Sequence, residues 1–129
     1  MKIMGLDNGI VFQNDVGIDA PFWVKIESCN YDETEVCYWR KCWGIRNAVI
    51  NLFDNEDQYM YMLDRDTVIQ IGKILKQFSN KKYWETHGHS IWEWSEIKRR
   101  LRRQRIALHW LARCMKKYPD LYVYFYDSY

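Results

Sequence analysis

The segment SEIKRRLRRQRIALHWLARCMKKYP, residues 95–119, constrains the fold most strongly, because its apolar and charged residues recur with the period of an α-helix. Five apolar residues fall on one side of a helical projection and predict its core face: Ile97, Leu101, Leu108, Leu111 and Met115. Ser90 and Glu93 have the spacing of a capping box, and Pro119 cannot continue a helix. The sequence therefore predicts one long helix over residues 91–117.

This helix is also strongly basic. Residues 97–118 contain nine Lys and Arg residues and no acidic residue, so this segment carries +9 in a chain whose net charge is +2. The rest of the chain therefore carries −7, and much of that acid lies before residue 36. The charge predicts a surface for phosphates. The competing interpretation is a solvated helix face whose charge is offset by acidic residues elsewhere in the fold.

The other periodicities predict an α+β fold, in which a small, mainly antiparallel sheet is packed on one side by about three helices. At 129 residues the chain is expected to form a single domain over residues 1–129. Residues 1–28 alternate in the way that is typical of two short strands, with a tight turn predicted at Asn8 and Gly9.

Helical spacing predicts a first helix over residues 34–53, and a strand follows at residues 59–63. Asp64 is expected to cap a second helix, and residues 79–90 are predicted to form a loop. The tyrosine-rich residues 121–129 are predicted to be the final strand. A C-terminal aromatic strand is typical of a sheet edge, which predicts pairing or strand exchange with a second copy of the chain, a homodimer.

Four side chains fall along one line opposite the predicted core face of the basic helix: Trp92, Arg99, Arg103 and Trp110. Arginine donates paired hydrogen bonds to phosphate, and an indole face stacks on a base. The line therefore predicts binding of a phosphorylated small molecule, above all a nucleotide. Two alternatives stay open: the rings pack beneath another segment with arginines over them, or the helix pairs with an acidic partner protein.

A second aromatic and basic patch lies in CYWRKCWGIRN, residues 37–47. Arg40 and Lys41 are predicted to lie on a helix that Trp39 and Trp43 anchor. These two cations are the second choice of ligand-binding residues.

Three pairs have residue types that occur in catalytic or metal sites: His87 with His89, Asp64 with Asp66, and Cys37 with Cys42. We interpret the histidines as polar loop residues and the aspartates as helix-capping residues. Cations near the thiols can lower a thiol pKa, but no base is placed to make a nucleophile. We therefore expect no catalytic residue, metal or cofactor. The enzymatic alternative is a nucleotide hydrolase that uses Asp7, Asp64 or the histidine pair.

The four cysteines have no CxxC spacing and are predicted to be reduced thiols of a cytoplasmic protein. No apolar run approaches the roughly 18 to 20 residues that a membrane span requires, so no membrane association is expected.

MGLDNGI at residues 4–10 and YWRK at residues 38–41 resemble a family of small uncharacterised proteins encoded by bacteriophages and mobile elements. Members begin with Met-Gly-Leu-Asp and carry Tyr-Trp-Arg-Lys before a helix. The resemblance covers about the first two thirds of the chain and does not include the basic helix. It implies a viral or mobile-element source, and from that source we expect an anti-defence protein of the host cytoplasm.

Such a protein is expected to sequester a host immune-signalling nucleotide. The alternative is an inhibitor that binds a host defence protein through the basic helix, as an anti-CRISPR protein would. Nucleic acid ranks lower as a partner, because the −7 of the remaining chain repels a long polyanion.

Overall fold

The computed structural model describes residues 6–55 and 58–128. Its strands are β1 (Asp7–Gln13), β2 (Ser28–Asn30), β3 (Glu33–Arg40), β4 (Met60–Met62) and β5 (Val123–Ser128). Its helices are α1 (Trp43–Ile50), α2 (Arg65–Phe78), α3 (Lys81–His87) and α4 (Trp94–Lys117). The strands form one antiparallel sheet in the order β2-β3-β1-β5-β4. The α+β prediction is confirmed, with one helix more than expected.

The helices pack on the face of the sheet that carries the alternate apolar residues of β1. Ile10 and Phe12 are fully buried on this face. The Phe12 ring meets the edge of the Trp110 ring of α4, with centroids 5.9 Å apart. The Trp39 indole of β3 donates a 2.8 Å hydrogen bond to Gln104 of α4. Helix α4 therefore lies directly against the sheet.

Helix α2 lies beside α4 and begins where the sequence predicts. The Asp64 carboxylate accepts hydrogen bonds from the Thr67 hydroxyl at 2.7 Å and from the Thr67 amide at 2.8 Å, and these bonds lower the pKa of Asp64. One apolar stripe of the helix is buried: Val68, Ile71, Leu75 and Phe78. The Arg65 guanidinium donates to the Ala112 carbonyl of α4 at 3.0 Å, which ties the two helices together.

The predicted first helix over residues 34–53 is wrong in its first half, because residues up to Arg40 form the strand β3. A bulge opposite Ile10 and Val11 shifts the register, so that Val36 and Cys37 are both buried. With Trp39 also buried, the apolar spacing imitates that of a helix. Lys41, at φ 51°, then redirects the chain into α1.

The N-terminal turn is also wrong, since Asn8 and Gly9 lie inside β1 and Asn8 is buried. The second of the two strands predicted within residues 1–28 is also misplaced, because the short β2 begins only at Ser28 and Phe22 is 92 % exposed. Residues 1–5, residues 56 and 57 of the predicted polar loop, and Tyr129 lie outside the described residues.

Part of the predicted loop over residues 79–90 is the helix α3, which Asn80 caps by accepting from the Tyr83 amide at 3.0 Å. The capping box is absent from α4, where Glu93 occupies the cap position without a side-chain bond. Ser90 instead accepts from the Trp92 amide at 3.1 Å. The predicted end of the helix before Pro119 is confirmed.

The final strand is not at an edge. Strand β5 pairs with β1 on one side and with β4 on the other, so its backbone groups are already used within the sheet. The prediction that residues 121–129 form an edge strand is therefore wrong. The homodimer inferred from that edge stays a prediction without this support. The two edges of the sheet are β2 and β4.

Candidate ligand-binding groove

The predicted line of four side chains on the basic helix does not form. Arg99 and Arg103 are exposed, as expected, but Trp110 is only 8 % exposed and belongs to the core. Helix α4 packs on the sheet along one flank and on α2 along another, which widens its buried arc beyond the five residues of the predicted core face. Those five are all buried. Trp110 is therefore not a stacking face for a ligand.

Trp92 precedes α4 and is half-buried. The Arg100 guanidinium lies 4.3 Å from the centroid of the Trp92 ring, and the Tyr38 ring meets it edge-on. Glu96 pairs with Arg100 at 2.8 Å and with Arg99 at 3.4 Å. The alternative in which an arginine lies over a packed indole ring therefore applies to Trp92. The arginine is Arg100. Ligand binding by Arg99 and Arg103 stays a prediction.

The second patch is also divided by the fold. Arg40 ends β3 and lies 3.9 Å from Asp7, while Lys41 follows in a left-handed conformation; neither lies on the predicted helix. Trp39 is buried, whereas Trp43 is 43 % exposed. Ligand binding by Arg40 and Lys41 stays a prediction.

Burial raises the pKa of the Cys37 thiol and raises that of Cys42 to about 11. The raised pKa is the opposite of the lowered thiol pKa that nearby cations can cause. Within the described ranges, no group of three His, Cys, Asp or Glu side chains is arranged to hold a metal ion.

The structure brings a different set of basic and aromatic side chains together, in a groove of about 910 Å³ between α2 and α4. The α4 side contributes Lys98, Arg102, Arg105 and His109, and the α2 side contributes Lys73 and Lys76. Trp94, at the start of α4, and Trp23, from the loop after β1, complete the aromatic part of the lining. Trp23 is 45 % exposed and Trp94 is half-buried.

Helical spacing explains why these residues converge. Positions 98, 102, 105 and 109 repeat at intervals of four, three and four, which places their side chains on one stripe of α4. Positions 69, 72, 73 and 76 form the facing stripe of α2. At about 1.5 Å of rise per residue, the α4 stripe is about 16 Å long. The floor between the stripes is apolar and includes Val68, Ile106 and Ala112.

The electrostatics of the groove are one-sided. Its lining contains five Lys and Arg residues and no Asp or Glu. The ion pairs recorded for the described residues join other cations to Asp7, Glu96 and Asp127, and none involves a cation of the groove. The positive charge is therefore not offset by a bound carboxylate of the described chain, and an anion can take that place.

The sequence prediction does not include this groove, because it places the ligand on the side of α4 farthest from the core. The groove residues lie at the border of the core face, where a neighbouring helix leaves one flank of the side chains open. The available signal was the second basic stripe, Lys73 and Lys76 beside Gly72, in the amphipathic helix α2.

No family model, curated protein or solved structure matches the chain. Among the described residues, no helix has the length and apolar character needed to cross a bilayer.

Proposed function

We propose that the protein binds a phosphorylated small molecule that contains a base, such as a nucleotide, in the groove between α2 and α4. The observation that carries the proposal is the lining itself: five Lys and Arg side chains and two indoles surround an apolar floor that has no carboxylate. The volume of about 910 Å³ suits a ligand of this size.

Each part of the ligand has a matching part of the groove. Arg102 and Arg105 supply forked donors for phosphate, and Lys98 adds charge on the same stripe. Trp94 and Trp23 offer indole surface for the base. This assignment replaces Trp92 and Trp110 as stacking residues and leaves Arg99 and Arg103 on the outer side of the helix.

The proposed role is sequestration rather than turnover, in line with the sequence prediction of a non-enzymatic binder. The resemblance to phage and mobile-element proteins extends the proposal to a host immune-signalling nucleotide, held in the host cytoplasm as an anti-defence measure. The four cysteines, all free thiols in the structure, are compatible with a reducing compartment.

The test is intrinsic tryptophan fluorescence during titration with cyclic dinucleotides, ADP-ribose and a short single-stranded RNA, each at low and high salt. We expect saturable quenching by one small nucleotide that persists at high salt, because a shaped site depends less on salt than general phosphate attraction does. Recovery of that nucleotide unchanged after incubation with divalent ions would support sequestration, and its hydrolysis would contradict it.

Matched charge variants locate the site. Arg102→Ala with Arg105→Ala should weaken binding by about tenfold or more, since each charge-assisted hydrogen bond contributes about 1.5–3 kcal/mol. Arg99→Ala with Arg103→Ala removes the same charge from the same helix and should change the affinity by about twofold or less. Equal losses in the two double variants would contradict a site in the groove.

A second candidate function is inhibition of a host defence protein, and the apolar floor favours it. An amphipathic helix with acidic flanks could place its apolar side on Val68, Ile106 and Ala112 and its carboxylates on the basic stripes. The absence of any nucleotide response, together with a host-protein complex that Arg102→Ala and Arg105→Ala dissolve, would favour this function.

A further inference from the structure

The face of the sheet opposite the helices contains a second concavity, of about 300 Å³. Alternate residues of β1, β3 and β5 point to this face, as the register of the strands requires. Six side chains dominate its lining: Glu33, Glu35, Tyr59, Met60, Tyr124 and Tyr126. None of them belongs to the groove between α2 and α4.

Hydrogen bonds hold the acidic and aromatic groups of this cavity together. The Tyr126 hydroxyl donates to one oxygen of Glu35, and the Ser28 hydroxyl donates to the other at 3.1 Å. The Tyr124 hydroxyl donates to Glu33 at 3.1 Å. Each carboxylate is thus fixed at the edge of a phenol ring.

Gly9 of β1 makes this arrangement sterically feasible. A Cβ atom at Gly9 would lie 2.5 Å from Cε1 of Tyr126 and 2.6 Å from Oε2 of Glu35. Only glycine therefore lets the ring and the carboxylate rest together against the backbone of β1. The site is a built cradle, since the positions of Tyr126 and Glu35 in its lining depend on the missing side chain at Gly9.

The chemistry of the cradle suits an organic cation. Phenol rings attract cations through their faces, and two carboxylates add negative charge. Neither Glu33 nor Glu35 forms an ion pair with a lysine or arginine of the described residues. Burial raises the pKa of Glu35, because its ionised form is only partly solvated. A bound cation would supply the interaction that water does not.

We propose that this cavity binds a primary alkylammonium group, with the nitrogen near Glu33 and Glu35 and the alkyl chain along Met60 and the tyrosine rings. The same group occurs in free aliphatic amines and in lysine side chains. The proposal is independent of the nucleotide site on the helical side of the molecule.

The test titrates the full chain with n-butylammonium as the probe and with n-butanol as its uncharged control. The NMR signal of the Met60 methyl group reports binding. Butylammonium should shift this signal saturably, and butanol should not. Glu35→Gln should weaken binding by about tenfold, because a charged partner is lost. The exposed Glu33→Gln should weaken it in the same direction and serves if Glu35→Gln does not fold. Arg102→Ala, in the groove, should leave the titration unchanged.

Equal shifts with butanol, no saturable shift, or full affinity in both glutamate variants would overturn the proposal. Titration with 1,4-diaminobutane and with Nα-acetyl-lysine amide then separates the two sources of the group. Tighter binding of the diamine assigns the cavity to free amines, and tighter binding of the lysine derivative assigns it to a protein segment.

Discussion

At the scale of single residues, Gln104 shows how one polar side chain joins a helix to the sheet. It is almost fully buried on α4, accepts from the Trp39 indole at 2.8 Å and donates to the Tyr38 carbonyl at 3.1 Å. Both partners belong to β3. Loss of the Gln104 amide would leave a donor and an acceptor without partners in the core.

Gln104→Ala should therefore lower the free energy of unfolding by about 3 kcal/mol, the combined effect of two unsatisfied polar groups and lost packing. Urea denaturation followed by circular dichroism measures the change. Arg103→Ala, one residue away and exposed, is the control and should stay within about 0.5 kcal/mol of the parent protein. A loss below that level for Gln104→Ala would show that this link is not important for stability.

Asp64→Ala should lower the free energy of unfolding by about 1 kcal/mol at pH 7, because the cap of α2 is lost. Hydrogen bonds from Thr67 lower the pKa of folded Asp64 below the unfolded value of 3.8. The stabilisation is thus present above pH 3.8 and is lost as the pH falls through the folded pKa.

Urea denaturation at pH 7 and at successively lower pH measures that loss. The difference in free energy of unfolding between the parent protein and Asp64→Ala should become smaller as the pH falls. Asp64→Asn retains a capping oxygen but cannot ionise, so it should keep most of the stability at pH 7. A difference in free energy of unfolding that grows as the pH falls would contradict the capping role.

Burial also explains which site residues the sequence could identify. Trp39 and Trp110 lie in the core, whereas Trp23 is 45 % exposed in the groove. Each of these three tryptophans has cationic or polar residues close to it in the sequence. Composition alone therefore does not distinguish a buried indole from an accessible one. The sequence prediction of exposed indoles near arginines includes Trp110, which is buried, and omits Trp23, which is 45 % exposed.

At the scale of elements, Gly72 leaves open space on the α2 side of the groove. It lies within α2 and lines the groove opposite α4. A Cβ atom added there would meet nothing within 4 Å. The absence of a side chain is therefore not required for packing, and it weakens the helix.

Gly72→Ala should raise the free energy of unfolding by about 0.5–1 kcal/mol, because alanine is the better helix former and the space is open. Gly72→Phe should fill the groove and abolish the fluorescence response to the nucleotide. Urea denaturation of both variants, with a nucleotide titration of each, provides the measurement. Unchanged binding by a folded Gly72→Phe would contradict the assignment of the groove.

The helices with a regular apolar period were predictable from the sequence. Helices α2 and α4 follow their apolar periods closely, and the cap at Asp64 and the end before Pro119 are where the sequence predicts. Strand β3 was not predictable from the sequence, because a bulge buries Val36 and Cys37 together. Bulges and lateral helix contacts depend on the partner element, which a single segment of sequence does not contain.

At the scale of the whole molecule, the fold separates the charges that the sequence contains. Glu33 and Glu35 lie on the open face of the sheet, and the basic groove lies in the helical layer on the other side. The recorded ion pairs leave the cations of the groove unpaired within the described residues. The nearly equal numbers of basic and acidic residues in the sequence, 19 and 17, therefore do not cancel the positive surface of the groove.

The most direct test of the central claim is an NMR titration of ¹⁵N-labelled protein with the nucleotide panel at high salt. We predict that one nucleotide shifts the Gly72 amide and the indole N–H signals of Trp23 and Trp94 along a single saturation curve. Trp92, outside the groove, should shift less. Shifts centred on Trp92 and Arg99 with an unchanged Gly72 amide, or no saturable shift in the groove with any nucleotide, would contradict the claim.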